Sequence, residues 1–220
     1  MALEAALRGV LTTPTYLYVW VALVLASVAV AAIDLLFVQD LASLMEVVWV
    51  LTVLYSGPLG LALYWYAGRE QIPHDSLWRR GVRSTAHCYS GCGAGEVVGI
   101  TLAAGVLALA TNATIAVTFG MAYTFGMALT VGPLLQEGVG VGEAVRDAFY
   151  SETPSITVME VVAIGTDVWL AGEATMGEPL FWSALLFSLS IGYLAAYPVN
   201  VLLVSHGVKE GMANPAEATA

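Results

Sequence analysis

Charged residues are scarce. Only 11% of the 220 residues are Asp, Glu, Lys or Arg, whereas a soluble domain carries roughly 25%. That shortage excludes an ordinary water-soluble globule. With 59% hydrophobic residues and a mean hydropathy of +0.80, the chain reads as an integral membrane protein forming one bundle. Bases are scarcer still. Seven Lys and Arg stand against 17 Asp and Glu, for a net charge of −10, and Lys209 is the sole lysine. That balance excludes nucleic acid as a partner. An acid-rich, lysine-poor exterior is the composition of a halophilic protein, whose acidic surface stays hydrated in high salt. Cysteine is nearly absent. The two present, Cys88 and Cys92, fall in one apolar segment and cannot staple distant parts of a fold. A nucleotide cofactor is excluded as well. Gly93-Ala94-Gly95 is glycine-rich but lacks the strand–turn–helix context of a phosphate-binding loop. The first apolar run exceeds a secretory h-region and is interrupted by Asp34, so it does not read as a secretory signal.

What is present is length of apolar chain. Six stretches approach the roughly 20 residues needed to cross a bilayer: Tyr16–Val38, Val47–Tyr66, Thr85–Leu109, Ile115–Leu135, Ser155–Gly172 and Leu180–Val204. The expected architecture is therefore all-α, a polytopic bundle of six transmembrane helices over residues 15–204. A cytoplasmic segment, 1–14, precedes it, and a disordered cytoplasmic tail, 205–220, follows. Aromatics near the segment ends, among them Tyr16, Trp65, Trp78, Trp169 and Trp182, resemble an interfacial belt. With six crossings Arg8, Arg69, Arg79, Arg80, Arg83, Arg146 and Lys209 all fall on one side. The opposite loops carry Asp40, Glu46, Glu173 and Glu178. The positive-inside rule then places a multi-pass protein in the cell membrane with both termini cytoplasmic. Gly142–Ser151 reads as a short amphipathic helix on the membrane surface. Gly57-Pro58 and Pro198 predict kinks, and Asp34, near a segment end, carries no assigned role.

The chemistry concentrates in His87-Cys88-Tyr89-Ser90-Gly91-Cys92-Gly93-Ala94-Gly95-Glu96. On a helix, Cys88, Cys92 and Glu96 share one stripe. Gly91, Gly95 and Gly99 form a small-xxx-small repeat that lets another membrane helix approach closely. Thr153, Glu160 and Asp167, spaced by seven, form a second stripe on the fifth segment. The topology brings Glu152, Thr153, Thr157, Tyr197 and Asn200 to the same cytoplasmic half, with Asp167 extending a polar pathway outward. Ionisable groups inside membrane segments are functional candidates by default.

These blocks resemble the DUF4396 family of membrane proteins. The resemblance rests on Thr85-Ala86-His87-Cys88 with Gly91-Cys92 and Gly95-Glu96, on Leu54-Tyr55 with Gly57-Pro58 and Gly68-Arg69, on Glu152 to Glu160, and on Tyr197-Pro198-Val199-Asn200 with Gly207 to Met212. It covers roughly Val47 to Met212. The family's Phe-Gln-Tyr-Phe run and Pro-Met-Arg are replaced here by Tyr123-Thr124-Phe125 and Pro133-Leu134-Leu135, so roles resting on that glutamine and arginine do not carry over. The family is named for an unknown function, and the resemblance implies site residues, not a reaction.

Thiolate and imidazole suit copper(I) or zinc. The expected function is binding of a soft transition metal, copper(I) first, for transport or sensing. Its ligands would be His87, Cys88, Cys92 and Glu96, with Glu160, Met159 or Met127 completing the set. Adjacent helical residues point about 100° apart, so His87 joins Cys88 on one ion only through irregular backbone. The plain alternative is packing, in which free cysteine behaves as a small hydrophobe. Thiol–disulfide redox ranks lower, because Cβ atoms at i,i+4 lie about 5–6 Å apart and a disulfide needs about 3.5–4.5 Å. Two further readings remain open: a membrane oxidoreductase acting on a lipid or quinone, and a structural or assembly subunit. Whether the protein is an enzyme, and whether it forms oligomers through its glycine faces, stays open at this stage.

Overall fold

The structure, a computed structural model, describes residues 2–72, 74–212, 214 and 215. The rest of the expected tail lies outside the described residues. Those described are helical, without strands: α1 Ala2–Thr12, α2 Pro14–Phe37, α3 Ser43–Ser56, α4 Pro58–Ala67, α5 Leu77–Ile100, α6 Thr111–Gln136, α7 Val141–Ala171 and α8 Pro179–Ser205. A π-helical turn, Thr101–Val106, prolongs α5. Residues on α5 pack against α6 and α8, and α7 lies along both α6 and α8. Gly91, Gly95 and Gly99 form the α5–α6 seam. A Cβ on Gly91 would meet the Gly126 Cα at 3.1 Å, one on Gly95 would strike the Met121 carbonyl, and one on Gly99 would meet the Thr118 Cα at 2.8 Å. The expected glycine stripe thus brings two backbones together.

Among the described residues four helices, not six, are long and apolar enough to cross a membrane: α2, α6, α7 and α8. The other two expected spans differ for physical reasons. The third begins at Leu77, not Thr85. Ser76 caps it by accepting from the Arg79 N–H at 3.3 Å, so Arg79, Arg80 and Arg83 join the helix. Small and polar residues keep its hydropathy low.

The second expected span is two helices. Gly57 takes φ +57°, a left-handed conformation open to glycine, and Pro58 starts α4 where its missing N–H costs nothing. The chain does not kink there; it reverses. Tyr64 of α4 packs on Trp49 midway along α3, ring centroids 5.5 Å apart. Gly60 faces Thr52, and Gly68 faces Trp49. α3 and α4 are therefore an antiparallel hairpin, roughly 21 Å and 15 Å long at 1.5 Å per residue.

A polar clasp closes the open end of this hairpin. Asp34, which the sequence left without a role, accepts from Arg69 Nε at 2.9 Å and Nη2 at 2.8 Å. It also accepts from the Tyr64 hydroxyl at 2.6 Å. The Asp34 side chain is 14% exposed and Arg69 30%. That bidentate contact holds the guanidinium above its ordinary pKa. Gln39 donates to Gln71 at 3.0 Å and accepts from the Glu70 N–H at 2.9 Å, and the Asp40 N–H reaches Glu70 at 3.0 Å. The two ends of the hairpin therefore meet beside the C-terminal end of α2, while its tip at Gly57 reaches Trp20 and Val24.

Two more expectations change. Gly142–Ser151 is not a separate surface helix; it is the first third of α7. The chain after Ser205 does not dissolve at once, since Val208–Met212 folds back on the bundle with Lys209 buried. Arg80 donates to the Glu210 carbonyl through Nη2 and through Nε at 3.2 Å. At the other end of α7, Arg8 donates to the Trp169 carbonyl at 3.1 Å, and Ser183 donates to the Leu11 carbonyl at 2.8 Å. α1 and the C-terminal strap thus sit at opposite ends of α7, not at the same end.

The clasp yields a measurable coupling. Asp34→Asn and Arg69→Gln should each lower resistance to denaturant-induced unfolding. The double-mutant cycle should return a coupling of about 1–2 kcal/mol; additive effects would mean that the clasp does not hold the hairpin.

Candidate functional site

α5, α7, α8 and the C-terminal strap place a column of polar side chains inside the bundle. Ser84, His87, Cys88, Cys92 and Glu96 come from α5, Glu152, Ser155, Glu160 and Asp167 from α7, Asn200 from α8, and Lys209 from the strap. All except Asp167 are buried.

At the end of the bundle that holds the strap, the Lys209 ammonium donates to Glu152 Oε2 at 2.6 Å, Asn200 Oδ1 at 2.8 Å and Ser155 Oγ at 3.2 Å. Three donors meet three acceptors, so the ammonium is satisfied. Asn200 is aimed by its other atom, since its Nδ2 donates to the Ala196 carbonyl at 3.1 Å. Its Oδ1 also accepts from Ser84 Oγ at 3.0 Å. The Lys209 and Glu152 side chains are only 5% and 4% exposed. His87 turns toward α6, with Nε2 at 3.4 Å from Thr130 Oγ1. Its electrostatic neighbours are Glu152 and Lys209, and its Nδ1 is unpartnered.

One turn further along α5 lie the thiols. Cys88 Sγ and Cys92 Sγ are 3.9 Å apart, and Ser155 Oγ sits 3.8 Å from Cys88 Sγ. Gly126 on α6 makes room for Cys92, because a Cβ there would come within 2.8 Å of its sulfur. Glu160 approaches from α7 with no exposure at all. Its carboxyl lies beside Cys88 and makes its side-chain contact with Cys92; no other hydrogen-bond partner meets it among the described residues. Burying a carboxyl with so few partners is costly.

Glu96 lies one turn beyond the thiols. It is 1% exposed, its Oε2 is unpartnered, and its electrostatic neighbours are Glu160 and Asp167. Asp167 is half-buried with Oδ1 unpartnered. The polar groups therefore form a column along the bundle, not a single layer. Three expected members of the pathway stand aside from it. Thr153 bonds the Tyr123 hydroxyl of α6 at 2.7 Å. Thr157 is exposed on α7. Tyr197 packs on Trp78 at the rim, ring centroids 6.4 Å apart. Among the described residues no group of three or more His, Cys, Asp or Glu is gathered as a metal cluster. His87 and Glu96 lie on either side of the thiol pair, the one turned to α6 and the other a turn away.

Lys209, Ser155 and Arg83 were not foreseen as part of this region. The one signal for Lys209 was its rarity: the sole lysine lies four residues after the last helix. Arg83, expected to mark a loop, is fully buried. It pairs with Asp75 at 2.8 Å and donates to the Ala67 and Met212 carbonyls at 3.3 and 3.5 Å. A lateral crevice of about 270 Å³ between α3, α5 and α6 is lined by Leu44, Val48, Gly91, Ala94, Phe125 and Leu129, among others. It is apolar and neither thiol lines it, so it gives a lipid or quinone no contact with the sulfurs.

The family described as "Domain of unknown function (DUF4396)" matches residues 77–209, well over half of the chain, and the chain belongs to that family. The match runs from the start of α5 to Lys209, so it encloses the whole polar column and leaves out α1 to α4. No curated protein and no solved structure matches the chain.

Removing one partner of a buried pair leaves the other charge uncompensated and typically costs about 3–5 kcal/mol. Lys209→Met should destabilise the protein by that order. Glu152→Gln combined with Lys209→Met should recover more than half of the loss, read from unfolding in mixed micelles. A double variant as unstable as the single one would assign the cost to packing instead of charge.

Proposed function

We propose that this member of the family is a membrane protein that binds a soft transition metal, copper(I) or zinc, between Cys88 and Cys92, for transport or sensing. The observation that supports the reading is the thiol pair beside the fully buried Glu160 carboxyl. Metal–sulfur bonds of about 2.3 Å spanning the 3.9 Å between the sulfurs subtend roughly 115° at the metal, close to tetrahedral. A bent dithiolate leaves a third position open, and Glu160, which is not gathered with the thiols as a ligand set here, would move in to fill it. Two thiolates and a carboxylate carry negative charge that a cation offsets, and binding would release protons. A disulfide asks for about 2.05 Å between sulfurs, which this helix does not offer without moving backbone. In the proposed path Lys209 and Glu152 stand at one mouth, and Glu96 and Asp167 continue toward the other end.

The orientation we propose has five crossings, α2, α5, α6, α7 and α8, and one re-entrant hairpin, α3–α4, whose tip reaches mid-membrane. Non-helical backbone is tolerated at that depth when protein surrounds it. Arg69, Arg79, Arg80, Arg83, Arg146 and Lys209 then share the cytoplasmic side, and Arg8 with α1 lies outside. The bias of basic residues still follows the positive-inside rule, six against one.

Two measurements test these readings. Titrated with copper(I) against a competing chelator, the purified protein should bind one equivalent. Cys92→Ser should lose on the order of 100-fold or more in affinity, and Glu160→Gln roughly 10–100-fold, the scale of changes around a metal. Undiminished binding by Cys92→Ser removes the metal reading. For the orientation, a membrane-impermeant maleimide applied to intact cells should label Ala5→Cys and spare Asp40→Cys. A six-crossing arrangement gives the reverse pattern.

A further inference from the structure

The Lys209 ammonium occupies a ready-made cation site. A carboxylate, an amide oxygen and a hydroxyl converge on one point at 2.6, 2.8 and 3.2 Å, and the amide and the hydroxyl are oriented by groups other than lysine. Asn200 is held by the Ala196 carbonyl, and Ser155 donates to the Glu152 carbonyl at 3.1 Å. Ser155 also touches Cys88 Sγ, so a single hydroxyl separates the ammonium from the first thiol. A cation travelling from this end of the bundle to Cys88 meets Lys209 first.

The strap that delivers the lysine is attached independently of it. Arg80 holds the Glu210 carbonyl, and Arg83 reaches the Met212 carbonyl. Two glycines in the left-handed region flank the inserted residues, Gly207 at φ +69° and Gly211 at φ +84°. Gly207 has nothing within 4 Å of its Cβ position. Withdrawal of one side chain therefore does not require release of the strap.

We propose that Glu152, Asn200 and Ser155 form a binding site for a small monovalent cation or primary ammonium at the strap end of the thiol pair, and that Lys209 is its tethered occupant, displaced when a free cation enters. The site gates access to Cys88 and Cys92. It rests on the proposed metal function only for what passes beyond the gate, and its test contains no metal.

The test measures thiol accessibility in the full-length, metal-free protein in micelles. A cationic methanethiosulfonate reagent is added, and modification of Cys88 and Cys92 is followed by mass spectrometry. Wild-type protein should react slowly, since both cysteines are at most 1% exposed. Lys209→Ala should react faster by about tenfold or more, as expected when a local closing contact is lost. n-Butylammonium, which replaces the missing side chain, should slow the variant again, and butyltrimethylammonium, which has no N–H to donate, should not. An unchanged rate in Lys209→Ala overturns the gate. A raised rate that n-butylammonium leaves untouched overturns the cation site, because it reports a loosened bundle. Should Lys209→Ala not fold, Glu152→Gln/Lys209→Gln, which removes both charges, is read by labelling alone; protection equal to wild type overturns the gate there too.

Discussion

The structure depends on how an apolar bundle accommodates charge. Three ion pairs do this, and all lie at the same end: Asp34 with Arg69, Asp75 with Arg83, and Glu152 with Lys209. The first and third join segments distant in sequence, and the second spans eight residues. The first closes the α3–α4 hairpin onto α2, the second fastens the loop before α5, and the third draws the C-terminal strap into the core. An unpaired charge at any of these places would carry a desolvation penalty of several kcal/mol. The pairs therefore decide where the connecting chain must lie, and the helices between them follow.

That arrangement explains why chemistry collects on α5. A helix with glycine on one stripe can press against α6 and leave other stripes free for function. On those stripes α5 carries Ser84, His87, Cys88, Cys92 and Glu96, and α7 answers with Glu152, Ser155 and Glu160. Most of these groups find partners near the strap. Deeper in, Glu96 Oε2 has no hydrogen-bond partner among the described residues, and Glu160 faces the thiols. Buried acceptors of this kind are costly in an apolar core, and the proposed cation binding rests on them.

Much of this was legible in the residues. The all-helical class, the α5–α6 glycine seam, the burial of both cysteines and the approach of Glu160 to them follow from hydropathy, period and spacing; the count of six spans does not. The single five-ligand cluster did not emerge, because adjacent helical positions diverge. His87 turned to Thr130 of α6, and Glu96 fell a full turn from Cys92. Thr157 shared a helix with Glu160 but not a face. Lys209 was hidden for a different reason. Its position after an apolar segment is what a solvated interfacial lysine looks like, and only the acceptors on α7 and α8 distinguish the two.

Sequence alone determined that the chain is helical, and its composition pointed to a membrane. Apolar composition and the shortage of charge call for lipid, and backbone hydrogen bonding inside lipid calls for helices. Tertiary structure decided direction. The run from Val47 to Tyr66 is long enough to cross, and Gly57-Pro58 permits either a bend or a reversal. Hydropathy sums residues without regard to which way the chain travels. The choice falls to Asp34 and Arg69, 35 positions apart, and to the shared hydrogen bonds of Gln39 and Glu70 beside them. No local pattern encodes a pairing of that range, yet it moves Arg8 and Lys209 to opposite ends of the bundle.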